Sequence, residues 1–203
     1  VYTQIIKDLN EAEIDLPTSY STSYLNTSRA HKATAIALKT RVYLNMSQYQ
    51  NLLNEGSKIV PSIAPFRYSA GAVTHALEAN ILNVFTGSYT GSEAIFSIPF
   101  ANSTTETPPS QFSLAFNYLS QPIIFLATLG IVGNPAFSDN QDARSTLITF
   151  DAAKHKVLKK FAISTAPFRD YVPVIRYAEV LLNCSEAAAK LNDINYSVEL
   201  LKA

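Results

Sequence analysis

The side chains that most often bind metals or act as nucleophiles are few in this chain and widely spaced. The three histidines, His31, His75 and His155, lie on separate segments, and none has Cys, Asp or Glu at the spacing that zinc ligands require. The one cysteine, Cys184, falls on the apolar face of a predicted helix, where a thiol is usually a small buried hydrophobe. We therefore predict no metal, no cofactor and no catalytic thiol.

Carboxylates could act as a general acid and base, but the sequence selects no pair of them. Glu78, Glu93 and Asp142 could meet in space, yet no spacing distinguishes them from ordinary surface carboxylates. The chain has no nucleophile motif and only 6 Gly, none of which form a phosphate-binding loop. We predict that the protein is not an enzyme, with a glycan hydrolase kept as an alternative.

Aromatic and amide side chains in a polar, proline-containing segment are the best candidates for ligand binding. Residues 101–118, ANSTTETPPSQFSLAFNY, are predicted to form an exposed loop. Loops carried by a rigid scaffold commonly hold binding residues. The candidate ligand-binding residues are Phe112, Phe116, Asn117 and Tyr118. The alternative is that these rings only pack the loop against the core.

Charge and hydropathy exclude two classes of protein. The chain has 16 Lys and Arg against 16 Asp and Glu, so no net positive charge attracts nucleic acid, and we predict no nucleic-acid partner. The longest apolar run, 123–132, has about half of the residues that a membrane-spanning helix needs, so no transmembrane segment is predicted. With 203 residues and 47% apolar content, the chain can bury one substantial core or two small ones.

Amphipathic patterns predict helices in the first third of the chain. Residues 2–16 place apolar side chains on one face, and the pattern stops at Pro17. A helix over 29–46 is predicted to begin with Ser28 as its N-cap, and a second helix over 49–60 follows a short break.

The middle of the chain is predicted to be mixed, and its end helical. A helix is predicted around 75–85 and a strand over 93–98. The segment 172–192 begins extended, because Pro173 disfavours helix in the residue before it. From Tyr177 the apolar positions then follow the i, i+3, i+4, i+7 pattern of a helix that buries one face.

Two helix–turn–helix segments look like tetratricopeptide units. They are RVYLNMSQYQNLL near the start and EAAAKLNDINYSVELL at the end. Such pairs normally stack in groups of at least three, so two partial units separated by more than 100 residues are unusual. A tetratricopeptide-type scaffold that binds a peptide or protein partner is the main alternative function.

Five segments follow one another in a recognisable order along the chain. They are IIKDLNEAEIDLP at 5–17, RAHKATAIALKTRVYLNMSQY at 29–49, GSEAIFSIPF at 91–100, Asp142-Ala143-Arg144, and VPVIRYAEVLLNCSEAAAKLN at 172–192. In this order they resemble landmarks of the SusD/RagB-like family, nutrient-binding lipoproteins on the surface of Bacteroidetes-type bacteria. The resemblance covers nearly the whole chain and implies an internal fragment of a longer protein.

The resemblance implies a mainly α fold, in which tetratricopeptide-like helix pairs form a right-handed α–α superhelical scaffold around an irregular middle with a few short strands. It implies one SusD-like domain over 1–203. Within it, 1–61 would hold one helix pair, 62–169 the irregular ligand-loop region, and 170–203 the start of a second pair. The residues that it implies to be structural are Asp142, Arg144, Arg176, Tyr177 and Glu179.

The implied function is the capture of a nutrient, with a glycan or oligosaccharide as the expected ligand, and its delivery to a SusC-like TonB-dependent outer-membrane transporter. The implied location is the cell-surface face of the outer membrane. A lipid anchor would then lie in a segment absent from this chain.

Overall fold

The computed structural model describes residues 1–86, 88–100, 109–135 and 142–203. Its described residues form helices joined to short two-stranded pairings. The helices are α1 (Tyr2–Asp15), α2 (Ser23–Ser28), α3 (Lys32–Asn45), α4 (Tyr49–Gly56), α5 (Asn83–Thr86), α6 (Tyr177–Lys190) and α7 (Ile194–Leu201). The strands are β1 (Tyr68–Ala70), β2 (Val73–His75), β3 (Ala94–Ile98), β4 (Ile148–Phe150), β5 (Lys156–Leu158) and β6 (Val172–Arg176).

These elements divide into two compact units. Unit 1 contains Val1–Glu78, Thr90–Ser97 and Pro173–Ala203, and unit 2 contains Ala79–Tyr89 and Ile98–Val172. Within the described ranges, no helix is long and apolar enough to cross a membrane.

Helix pairs build the core of unit 1. The pairs α3–α4 and α6–α7 pack internally, α6 packs on both α3 and α4, and α1 packs on α3. Gly56 at the end of α4 permits a close approach to α6, because a Cβ atom there would lie 2.4 Å from Sγ of Cys184. The predicted mainly α class with tetratricopeptide-like pairs is confirmed.

The start of α3 corrects the predicted N-cap. Ser28 is the last residue of α2, and His31 caps α3 instead. The His31 ring accepts from Thr34 N at 3.3 Å, while the Thr34 hydroxyl accepts from His31 N at 3.2 Å. This reciprocal capping box satisfies two backbone donors at the start of α3. The second helix ends at Gly56 rather than at residue 60, and turns follow it.

The predicted helix over 75–85 is wrong for most of its length. His75 is the end of strand β2 and lies opposite Tyr68 in an antiparallel pairing with β1. Gly71, at φ +59°, makes the tight reversal between the two strands. Only Asn83–Thr86 is helical, after a turn in which the Asn80 side chain accepts from Leu82 N at 2.9 Å.

Unit 2 has a small core and mostly irregular structure. Val84, Phe85 and Leu147 are buried together, with Ile81 and Leu82 against them. Strands β4 and β5 pair antiparallel. Of the predicted loop 101–118, residues 101–108 lie outside the described ranges, and the remainder contains a 3-10 turn at Ser110–Phe112 and the start of a π-helical turn at Phe116–Ser120.

The buried thiol of Cys184 gives a direct test of core packing. Burial raises its pKa to about 12, so the group stays protonated at neutral pH. Because only the thiolate reacts, we expect alkylation of the native chain by iodoacetamide to be on the order of 10³-fold slower than alkylation of the chain unfolded in urea. Equal rates in the two conditions would contradict the packing of α6 against α4.

Candidate functional site

The four residues that the sequence selected for ligand binding lie together in unit 2, but mainly contact their own loop. The Asn117 amide donates to the carbonyls of Gln111 at 3.1 Å and Ser113 at 3.0 Å. It therefore holds the two helical turns together. Tyr118 packs its ring on Phe161, with centroids 5.4 Å apart.

The other two aromatic residues of this set differ in exposure. Phe116 is half-buried, and its backbone N–H donates to Ser113 Oγ. The Phe112 side chain is 67% exposed, which makes it the most accessible of the four. Contact of these four residues with a ligand stays a prediction. For Tyr118, packing on Phe161 favours the alternative that the ring only anchors its loop.

A second group of aromatic side chains in unit 2 forms a pocket. Its volume is about 460 Å³, which is within the usual range for small-ligand sites. The Tyr89 and Tyr171 rings meet edge to face with centroids 6.0 Å apart, and the Tyr171 hydroxyl donates to the Val84 carbonyl. This hydrogen bond fixes one wall. The lining residues are Thr86, Ser88, Tyr89, Phe100, Ile163, Arg169 and Tyr171.

Asp170 positions the polar edge of this pocket. Its buried carboxylate accepts from Ile163 N at 3.1 Å and so ties together the two segments that carry Ile163 and Arg169. Burial raises the pKa of Asp170, and the backbone N–H groups of Ile163 and Ala162 oppose that shift in part. The bond therefore orders the wall to which Arg169 contributes.

The pocket combines three aromatic rings with hydroxyl groups and a guanidinium. Aromatic faces contact the C–H surface of a sugar ring, and a few polar groups then orient its hydroxyls. None of the residues Phe112, Phe116, Asn117 and Tyr118 lines it. Sequence reasoning missed this pocket. Tyr89 falls between the predicted helix around 75–85 and the predicted strand over 93–98, and nothing in the sequence relates it to Tyr171.

The segment that begins α6 forms a polar junction in unit 1. Arg176 Nη1 donates to Glu93 Oε1 at 2.8 Å, and Tyr177 N donates to the Glu93 carbonyl at 2.8 Å. Glu179 accepts from Nε and Nη2 of Arg41 at 2.5 and 2.7 Å, so α6 is bound to α3. These contacts join the start of α6 to its neighbours, and the structural role of Arg176, Tyr177 and Glu179 stays a prediction.

Asp142 and Arg144 form a local pair in unit 2. Arg144 Nε donates to Asp142 Oδ1 at 2.9 Å, Nη2 donates to Oδ2 at 2.6 Å, and the Arg144 backbone N–H also donates to Oδ1. These hydrogen bonds lower the pKa of Asp142. The geometry is bidentate and caps the 3-10 turn Ala143–Leu147, which supports a structural role.

Comparison with known proteins identifies structural relatives. No family model and no curated protein matches the chain. A SusD superfamily protein from Bacteroides fragilis is 29% identical with a TM-score of 0.78, over 99% of this chain and 42% of that one. A SusD superfamily protein from Bacteroides thetaiotaomicron is 23% identical with a TM-score of 0.75, over 99% and 45%. A laminarin-binding SusD-like protein is 20% identical with a TM-score of 0.70, over 98% and 52%.

The solved SusD superfamily structures match this chain over nearly its whole length, including the helix pairs and the irregular middle. The fold is therefore of the mainly α SusD-like class. The chain is similar in fold and sequence to SusD superfamily proteins, so the predicted resemblance is confirmed. It spans 42–52% of the length of these three solved relatives.

Proposed function

We propose that the chain is part of a cell-surface protein that captures an oligosaccharide nutrient and delivers it to a SusC-like TonB-dependent outer-membrane transporter. The observation that carries this proposal is the aromatic pocket of Tyr89, Phe100 and Tyr171 with Arg169 at its edge. The similarity to a laminarin-binding SusD-like protein supports a glucan or another glycan as the ligand class.

The mechanism that we infer is binding without chemistry. Each carboxylate considered as a general acid or base has a structural partner: Glu93 pairs with Arg176, and Glu78 accepts from Ser92 N at 2.8 Å. Asp142 is engaged by the neighbouring arginine. A glycan would be held by ring contact and hydrogen bonds, enclosed between this protein and the mouth of the transporter, and then released into the channel.

The location that we propose is the cell-surface side of the outer membrane. The helix pairs of unit 1 would serve as the scaffold or contact the transporter.

Removing the Tyr89 ring tests the proposed binding site. Isothermal titration calorimetry with a panel of plant, host and microbial glycans would first find the ligand. We then expect Tyr89→Ala to weaken binding by about two- to twelvefold, because one ring contact is worth on the order of 0.5–1.5 kcal/mol. The matched control is Tyr2→Ala, since Tyr2 is a 47% exposed tyrosine on α1 and lies outside the pocket.

The Phe112→Ala variant distinguishes glycan binding in this pocket from glycan binding at the loop that contains Phe112. We expect no change in glycan affinity with this variant. Loss of binding in Phe112→Ala but not in Tyr89→Ala would place the ligand on the loop. Binding of peptides and of no glycan would favour the tetratricopeptide-type scaffold, and release of reducing ends that is absent from heat-treated protein would contradict binding without chemistry.

A further inference from the structure

Unit 1 contains a polar cleft that the proposed function does not use. Its walls come from α2, from the β1–β2 hairpin and from the segment that leads into β3. The volume is about 270 Å³, which gives room for a small molecule or for several waters of about 30 Å³ each. The lining residues are Ser23, Asn26, Thr27, Arg67, Ala72, Val73, Thr74, His75, Thr90, Gly91, Ser92 and Ala94.

His75 is an unsatisfied polar group in this lining. Its side chain is 2% exposed, and neither ring nitrogen makes a hydrogen bond of ordinary geometry with the described part of the chain, although the Ser92 backbone lies near the ring. The ring is stacked against Tyr68 and Tyr177, with centroids 6.1 Å away in both cases. Leaving such a group unpaired costs about 1–3 kcal/mol, so a partner held in the cleft would recover that loss.

His31 adds a second unsatisfied nitrogen beside His75. The two rings meet edge to face with centroids 5.5 Å apart. The His31 Nδ1 atom accepts from the helix cap at Thr34 N, which leaves the proton on Nε2, and that atom also has no partner among the described residues. Burial and the neighbouring His31 lower the pKa of His75 to about 4, although the Ser92 backbone opposes the shift. The imidazole is therefore neutral at neutral pH and offers one donor and one acceptor.

The charge of the lining is positive. Arg67 is exposed at the mouth of the cleft, and its guanidinium makes no ion pair with any residue that the structure describes. No Asp or Glu lines the cleft. Glu78 bonds to Ser92 N and Oγ, but it lies outside the lining. The lining holds an arginine and several hydroxyl groups, and no described carboxylate contributes to it. Such a lining suits a bound carboxylate, with which arginine can form a bidentate pair.

We propose that this cleft binds a small sugar acid, with Arg67 paired to its carboxylate and His75 hydrogen-bonded to the rest of the molecule. The proposal does not depend on the aromatic pocket, which belongs to unit 2. It is tested with D-glucuronate as the probe and D-glucose as its neutral counterpart, so that the two ligands differ chiefly in the carboxylate.

The measurement is an NMR titration of the 203-residue chain that follows its three imidazole signals. The signals are assigned by single substitutions of His31, His75 and His155 by Gln. We expect D-glucuronate to shift the His75 and His31 signals saturably and to leave that of His155, an exposed residue of unit 2, unchanged. D-Glucose should cause no saturable shift.

Arg67→Gln should weaken D-glucuronate binding at least about tenfold, because it removes a charge-assisted bidentate pair. Arg29→Gln, another exposed arginine of unit 1 that does not line the cleft, should leave the affinity unchanged. Thermal unfolding of both variants without ligand verifies that they fold. No saturable shift with D-glucuronate would mean that only water fills the cleft, and it would overturn the proposal. Equal affinity for D-glucose, or an unchanged affinity in Arg67→Gln, would overturn the assignment of a carboxylate.

Discussion

Replacing Lys39 by alanine is expected to lower the free energy of unfolding by about 3–5 kcal/mol, which is the usual effect of removing one partner from a buried ion pair. The Lys39 side chain is 0% exposed on α3. Its Nζ donates to Glu13 Oε2 on α1 and to Asn10 Oδ1 at 3.0 Å, and it lies 2.8 Å from Glu55 Oε2 on α4. One ammonium therefore joins three helices.

The remaining carboxylates explain the size of this effect. Without Lys39, the one described cation that Glu13 and Glu55 share is Lys58, whose Nζ lies 2.9 Å from an oxygen of each and whose side chain is more exposed. Urea unfolding followed by circular dichroism measures the difference. The control is Lys7→Ala, because Lys7 forms an exposed pair with Glu11 and its replacement should change stability by less than about 0.5 kcal/mol. An equally small effect for Lys39→Ala would contradict the buried network.

The same network gives the protein an acid-sensitive step. Burial alone would raise the pKa of Glu13, but hydrogen bonds and charge from Lys39 and Lys58 outweigh it and bring the pKa below its ordinary value of 4.5. A lowered folded-state pKa means that the stabilisation is complete above pH 4.5 and is lost as the pH falls through the folded value. Lys39→Ala should therefore reduce the difference in stability between pH 6 and pH 3.

Replacing Tyr177 by alanine is expected to cost about 3–5 kcal/mol of unfolding free energy, as for other large aromatic side chains in cores. The side chain is 0% exposed and belongs to the main core of unit 1. Its hydroxyl donates to the carbonyl of the buried Ile59 at 2.9 Å. Burial raises the pKa of Tyr177 above its ordinary value, so the hydroxyl keeps the proton that it donates.

The Tyr177→Phe variant distinguishes the contribution of the ring to stability from that of the hydroxyl. It retains the packing but leaves the Ile59 carbonyl without this donor, so we expect a loss of about 1–2 kcal/mol. Both variants are compared with Tyr2→Ala by chemical unfolding, and the exposed Tyr2 should contribute less than about 0.5 kcal/mol. A loss in Tyr177→Ala no larger than that in Tyr177→Phe would contradict the packing of the ring in the core.

The helices at the two ends could be predicted because their apolar periodicity is local. The apolar pattern from Tyr177 onward was sufficient to predict α6 from the sequence. The helix begins at Tyr177, directly after the extended strand that contains Pro173. The error at Ser28 has a local cause as well. Ser28 and His31 can both cap a helix, and the reciprocal bond with Thr34 decides in favour of His31.

The middle of the chain could not be predicted in the same way, because its pairings are non-local or override the local pattern. Leu77, Ile81, Val84 and Phe85 have helical spacing, yet the pairing of His75 with Tyr68 takes the start of this segment into a hairpin. A turn at Asn80 then delays the helix. The rings of Tyr89 and Tyr171 meet only after folding, so no spacing in the sequence could select them.

The absence of Trp from the sequence bears on the ligand site. Trp offers the largest aromatic face for a sugar ring, and Tyr and Phe provide smaller faces of the same kind. In this chain, the pocket formed by Tyr89, Phe100 and Tyr171 offers such faces. The proposed capture of glycans therefore depends on these three rings.

A crystal structure of the chain with the tightest-binding glycan from the calorimetric panel tests this claim most directly. The account predicts a sugar ring against Tyr89, Phe100 or Tyr171, with a hydroxyl hydrogen-bonded at the polar edge that carries Arg169. A glycan bound elsewhere, with this pocket filled only by solvent, would contradict it.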